Sequence, residues 1–146
     1  MMRNFTKSIA MNTRILALVF LLPIVACSQD ESEKSGVADV INKDVNVAAF
    51  KAFVAEGKGL ILDVRTADEV NEGYIKGAKN IDFFSDEFET EIKKLSTDQP
   101  IYVYCRSGGR SGNAAGNMKD WGFKEVYNLD GGINAWKKEG LELVKP

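Results

Sequence analysis

Apolar and polar positions along this chain alternate between two rhythms. Leu60-Ile61-Leu62-Asp63-Val64 and Ile101-Tyr102-Val103-Tyr104-Cys105 are short, nearly continuous apolar runs, the pattern of strands buried on both faces. Residues 80–82 and 126–129 are weaker strand candidates, and 37–41 is a fifth. Helical spacings lie between them. Residues 47–56 put Phe50, Phe53 and Val54 on one face and stop at Gly57. Thr66-x-x-Glu69 is a capping box that opens a short helix. Phe84, Phe88, Ile92 and Leu95 recur at intervals of 4, 4 and 3, which predicts an amphipathic helix against the sheet. Residues 111–121 turn Ala114, Ala115 and Met118 inward and end at Gly122. Strands alternating with helices predict an α/β fold, a central parallel sheet of about five strands with helices on both faces. Such folds bind ligands at the carboxyl ends of their strands, and Cys105 falls at one of those ends.

The first 26 residues read as a leader and not as part of this fold. Arg3, Lys7 and Arg14 form a positive region with no acidic residue before Asp30, and residues 15–26 are then apolar except for Pro23. That run suits the apolar segment of a signal peptide and is too short for a bilayer span of roughly 20 residues. Met11 is an alternative start, since the segment from there to Cys27 is a complete short signal. Ile24-Val25-Ala26-Cys27 resembles the lipobox of bacterial lipoproteins, which implies lipidation of Cys27 and its exposure as the first mature residue. Residues 27–36 then form a lipidated cysteine with a polar tether, and 37–146 the folded domain. The expected location is the bacterial cell envelope, with the outer membrane favoured because Ser28 stands where an aspartate would favour inner-membrane retention.

Composition narrows the chemistry. The 146 residues include 19 basic and 21 acidic side chains, a net charge of −2, so no broad basic surface is available for nucleic acid. Without the three basic residues of the leader the balance becomes 16 against 21, a net of −5. Histidine is absent, which removes Ser-His and Cys-His catalysis, imidazole bases and His-ligated metals together. Two cysteines make neither a disulfide scaffold nor a zinc site unaided. No metal or cofactor is called for.

The informative segment is Cys105-Arg106-Ser107-Gly108-Gly109-Arg110-Ser111, which joins an apolar strand to a helix. Small residues after a strand let the backbone curl, so that several N–H groups can point at the sulfur. The following helix aims its positive end at the same place. With Arg106 and Arg110 adding charge, every one of these influences favours the thiolate. A nucleophile that needs no separate base is the kind a chain without histidine can use.

These residues, with four further segments, carry a resemblance to the single-domain rhodaneses, sulfurtransferases of the rhodanese-like superfamily. Leu62-Asp63-Val64-Arg65 comes first, then Glu72-Gly73-Tyr74-Ile75-x-Gly77-Ala78-x-Asn80-Ile81, then the cysteine loop. Asn128-Leu129-Asp130-Gly131-Gly132-Ile133-x-Ala135-Trp136 and Gly140-Leu141 close the pattern. Many members have histidine where Tyr74 stands, in a segment that belongs to the packing signature and not to the loop. The resemblance implies a parallel α/β fold and a cysteine, Cys105, that carries sulfane sulfur as a persulfide. It implies a small anionic donor, with thiosulfate favoured, and cyanide or a thiol as acceptor. The backbone N–H groups of residues 106–110, from Arg106 through Ser107, Gly108 and Gly109 to Arg110, would hold the persulfide anion, and the Arg106 side chain would meet the donor at the mouth. Arg110 has two roles open, meeting the donor or clamping the loop. Asp63 and Arg65 are expected to form a structural ion pair, Asp130-Gly131-Gly132 a turn, and Trp136 a core or pocket wall.

Two other classes share the fold. Cysteine phosphatases of the superfamily place five residues between cysteine and arginine, whereas this loop has four, Arg106 to Gly109, a smaller ring better suited to one sulfur atom. Binding modules of the family lack the cysteine, which is present here. An exported persulfide-relay or redox role stays open, since a low-pKa thiol outside the cytoplasm meets oxidants.

Overall fold

The computed structural model describes residues 40–146; the leader, Cys27, the tether and most of the expected 37–41 strand lie outside the described residues. In chain order the elements are β1 (Ile41–Val45), α1 (Val47–Glu56), β2 (Leu60–Asp63), α2 (Ala67–Asn71), β3 (Lys79–Asn80), α3 (Phe88–Ile92), β4 (Ile101–Tyr104), α4 (Gly109–Asp120), β5 (Glu125–Leu129) and α5 (Gly132–Lys138). The five strands form one sheet in the order β1-β5-β4-β2-β3, and every pairing is parallel. The expected α/β fold with a five-stranded parallel sheet is therefore what the chain adopts.

The central strand, β4, explains why its sequence is apolar throughout. Its four residues are all buried, because alternate side chains enter two different cores. Ile101, Val103 and the following Cys105 pack with Leu62, Val64, Ala114, Ala115 and Met118 beneath α3 and α4. Tyr102 and Tyr104 pack with Phe50, Leu129, Ile133 and Trp136 beneath α1 and α5. Phe50 is fully buried and meets the rings of Tyr102, Tyr104 and Trp136 edge-on, with centroids 6.3, 6.3 and 6.2 Å away. Truncating such a side chain to alanine costs about 3–5 kcal/mol, so the face of α1 read from spacing is a principal anchor of the sheet. Asn46 starts that helix by accepting the Ala49 N–H, and Gly57, at φ +66, ends it.

Several elements depart from the sequence expectation. β1 lies at 41–45, four residues later than the 37–41 candidate; its residues are half-buried or exposed, as an edge strand allows. β3 is two residues long and begins at Lys79, one residue before its expected start. α3 spans five residues, and Phe84, expected on its inner face, precedes it and is 67% exposed. The chain there makes tight turns through the Asp82 and Ser85 side chains, which accept the Phe84 and Glu87 N–H groups, so the helical spacing is not realised. α4 starts at Gly109, two residues before the expected Ser111. α5 is a helix where a glycine turn alone was expected.

Candidate active site

β4 delivers Cys105 to the carboxyl end of the central strand, and the chain must there leave the sheet and enter α4 within a few residues. Gly108 makes this possible. It is the N-cap of α4 at φ +97, and a Cβ on it would stand 3.2 Å from the Gly131 nitrogen and 3.3 Å from the Leu129 oxygen. The curl brings the Gly108 N–H to the thiol, 3.2 Å from Sγ, and the Ser111 hydroxyl to 3.3 Å. The sulfur thus sits against the first turn of α4, whose unpaired amides carry partial positive charge.

The loop's carbonyls are drawn the other way. The Ile133 N–H donates to the Cys105 carbonyl at 2.8 Å and the Asn134 N–H to that of Arg106 at 3.1 Å. The orphan amides at the start of α5 thereby hold the carbonyl side of the loop and leave its N–H side for the sulfur. Close approach is essential: a Cβ on Gly132, at φ +57, would lie 2.5 Å from the Cys105 carbonyl oxygen.

Cys105 is 1% exposed. Burial, the largest influence, pushes its thiol up. The Ser111 hydroxyl and the amides of Ser111, Ser107 and Gly108 together outweigh it and hold the thiol below its ordinary value. Fixed dipoles, and not a base, therefore favour the thiolate.

The two loop arginines part company. Arg106 is exposed, and among the described residues its side chain makes no hydrogen bond or ion pair. It lines a small cleft of about 90 Å³ with Arg65, Glu69, Glu72, Asn134 and Lys137. Arg110 is committed to Glu69, its two terminal nitrogens 2.8 and 2.6 Å from the two carboxylate oxygens, and its guanidinium lies 5.4 Å from the Phe84 ring centroid. Of the two roles open to Arg110, the geometry is that of a clamp. The Arg110 hydrogen bonds hold Glu69 at about 2, against the opposing effect of burial and with help from Thr66. Ser107 and Gly109 are exposed and complete the loop.

Asp63 and Arg65 form a buried ion pair at the end of β2. The Arg65 Nη2 donates to Asp63 at 2.6 Å, and Nε donates to both oxygens at 2.9 and 3.1 Å. Two further guanidinium hydrogens, on Nη1 and Nη2, go to the Glu69 and Gly73 carbonyls, both at 2.9 Å. Beside them the Tyr104 hydroxyl accepts the Ile75 N–H at 3.1 Å. Tyr74 pairs through its backbone with Val144. Trp136 is buried in the core, as expected. A larger cavity of about 540 Å³ is lined by residues that include Asn46, Lys51, Asp130 and Glu139, but by none of the cysteine loop. Size points there; the nucleophile does not.

Three contributors escaped the sequence pattern. Ser111 stood in plain view one residue after Arg110, and a hydroxyl in the first turn of the helix that follows the loop is the signal that would have found it. Glu69 was legible as a capping residue, which it is, but not as the partner of a side chain 41 positions away. Asn128 reaches the loop from β5, 20 positions on, with no local signal.

A parallel α/β domain with an activated thiol at the end of its central strand is the class that fold and site define. The family model of the rhodanese-like domain matches residues 46–139, and the chain belongs to that family. An uncharacterized protein of Bacillus subtilis is 38% identical over 79 residues, which cover 54% of this chain and 61% of that one. The thiosulfate sulfurtransferase GlpE of Shewanella oneidensis is 38% identical over 76 residues, 52% of this chain and 73% of the relative. The crystal structure of a rhodanese-related protein from Thermoplasma volcanium superposes with a TM-score of 0.64 at 29% identity, covering 71% of this chain and 99% of that one.

Proposed function

We propose that the chain is a sulfurtransferase that moves sulfane sulfur from a small anionic donor, thiosulfate first among them, to cyanide or a thiol through a persulfide on Cys105. The observation that carries this reading is the sulfur itself, which accepts the Gly108 N–H at 3.2 Å and the Ser111 hydroxyl at 3.3 Å at the start of α4. In the first half-reaction the Cys105 thiolate attacks the outer sulfur of thiosulfate. A new S–S bond forms, the donor's S–S bond breaks, and its electron pair leaves with sulfite. Cyanide or a thiolate then attacks the outer sulfur of the persulfide anion, and the pair of the breaking bond returns to Cys105 as thiolate. The loop amides stabilise the anion in both stages without reorganising. Arg106, whose charge is unpaired among the described residues, meets the donor at the mouth. Support for thiosulfate comes from that cation, from the small cleft beside it and from the similarity to the Shewanella enzyme. Four residues between Cys105 and Arg110 favour sulfur over a phosphate ester.

Initial rates of thiocyanate release at several fixed cyanide concentrations test this. Parallel double-reciprocal lines, with all activity lost in Cys105→Ala, are expected of the two-stage cycle. Intersecting lines, or activity retained without the thiol, would overturn it.

A location in the cell envelope is part of the same proposal, and its support is the sequence Ile24-Val25-Ala26-Cys27. Labelled fatty acid should enter the parent and not Cys27→Ser, and that variant should leave the membrane fraction. Equal labelling of the two would contradict the anchor.

A further inference from the structure

The Ser111 hydroxyl has one hydrogen and two acceptors within reach, Cys105 Sγ at 3.3 Å and the Gly108 carbonyl oxygen at 3.1 Å. On distance alone the carbonyl competes well, and a hydrogen given to it is lost to the sulfur. A carbonyl oxygen has two lone pairs. At Gly108 both are already addressed: the Gly112 N–H donates to this oxygen at 2.8 Å, and the Asn128 side-chain amide donates at 3.2 Å.

The orientation of Asn128 follows from its surroundings. Its Nδ2 also donates to the Asp44 carboxylate at 2.8 Å, so its two hydrogens have two acceptors. A flipped amide would turn Oδ1 toward a carboxylate and a carbonyl at once, with no hydrogen for either. In the orientation adopted, Oδ1 is buried and has no hydrogen-bond partner among the described residues, in a residue 4% exposed. A buried acceptor left unsatisfied requires an explanation. Here both hydrogens of the amide are spent on the β1 end and on the cysteine loop.

We propose that Asn128 is a positioning residue for the nucleophile: by filling the free lone pair of the Gly108 carbonyl, it directs the Ser111 hydrogen to Cys105 Sγ. Asn128 touches neither sulfur nor substrate and acts through Ser111. The charged groups around this arrangement are Arg110 on α4, paired with Glu69 of α2, the Asp63–Arg65 pair at the end of β2, and Asp44 on β1. Only Asp44 bonds to Asn128, and none of these side chains bonds to Ser111. The role deepens the persulfide reading, because it concerns the same thiolate, and its test needs no sulfur donor.

The full chain carrying Cys27→Ser, so that Cys105 is its single thiol, is alkylated with iodoacetamide across a range of pH. Asn128→Leu keeps the volume of the side chain without its donors. Asn128→Ser, whose hydroxyl is too short to span to the Gly108 carbonyl, runs beside it and carries the test if the leucine variant fails to fold. Each is made with Ser111 present and with Ser111→Ala. With Ser111 present, the thiolate fraction at a fixed pH below both titration midpoints should fall by about three- to ten-fold. In the Ser111→Ala background the same substitutions should leave the midpoint where that background puts it. An equal shift in both backgrounds, or no shift in either, would overturn the proposal. Loss of thiocyanate formation with this dependence intact would count against the sulfurtransferase reading alone.

Discussion

Glu69 and Arg110 face each other across the mouth of the cysteine loop, their side chains joined by two hydrogen bonds of 2.8 and 2.6 Å that tie α2 to the first turn of α4. The same Glu69 closes the capping box of its own helix with Thr66. One carboxylate therefore fixes a helix start and an arginine of the loop. Both partners are about one-fifth exposed, which moderates solvent screening.

Stability should depend on pH through this pair. The Glu69 carboxyl is held at about 2, chiefly by the Arg110 hydrogen bonds, against an ordinary value of 4.5. A depressed carboxylate contributes stability that is full above its unfolded value and lost as pH falls through its folded value. Glu69→Gln should therefore cost about 2 kcal/mol at neutral pH. Denaturation measured from pH 6 downward should show the gap closing between about 4.5 and 2. A gap that stays constant through that window would rule out the ion pair as its cause.

Two glycines should respond in opposite directions. Gly132→Ala sets a Cβ 2.5 Å from the Cys105 carbonyl and 2.7 Å from that of Arg106, at φ +57. It should destabilise by about 3 kcal/mol or more and disorganise the loop. Gly116 lies inside α4, and beyond its own helix backbone a methyl added there would meet no atom of the described residues within 4 Å. Gly116→Ala should stabilise by about 0.5–1 kcal/mol and leave activity unchanged. Thermal melts and thiocyanate assays on the two variants check both signs.

Arg106 and Arg110 should separate binding from structure. Arg106→Ala removes an exposed charge that has no partner among the described residues, so KM for thiosulfate should rise about five- to ten-fold while the melting temperature is unchanged. Arg110→Ala leaves Glu69 unpaired and should lower the melting temperature. If Arg106→Ala leaves KM untouched, the donor does not meet that side chain.

Arg65 should prove structural. Its donors go to Asp63 and two carbonyls in a buried setting, a fork that lysine does not reproduce. Arg65→Lys should cost about 3 kcal/mol in urea denaturation, with KM for thiosulfate unchanged in the fraction that folds. A raised KM at unchanged stability would instead make Arg65 a donor contact.

The parts legible in the sequence are those governed by local rules. β2 and β4 announce themselves as apolar runs because their side chains enter the cores on both faces of the sheet, and Thr66 and Glu69 announce a helix start because a capping box is read within a single turn. Cys105 and its glycines were legible for the same reason. The misplaced parts were decided at a distance. Phe84 kept helical spacing with Phe88, yet turns formed by Asp82 and Ser85 took the backbone elsewhere. Gly131 and Gly132 carry a turn signal that hid the helix behind them, whose amides are needed by Cys105 and Arg106. β1 has too mixed a pattern to be placed by periodicity, since Lys43 and Asp44 are exposed on an edge. The partners of Arg110 and Gly108 could be named only after the sheet order had brought α2 and β5 beside the loop.

The central claim is that Cys105 carries the transferred sulfur, and the intact mass of the full chain before and after thiosulfate tests it most directly. The parent should gain one sulfur atom, about 32 Da, which maps to Cys105, is absent in Cys105→Ala and is discharged by cyanide as thiocyanate. Thiocyanate formed at full rate with no sulfur ever found on Cys105 would contradict the account.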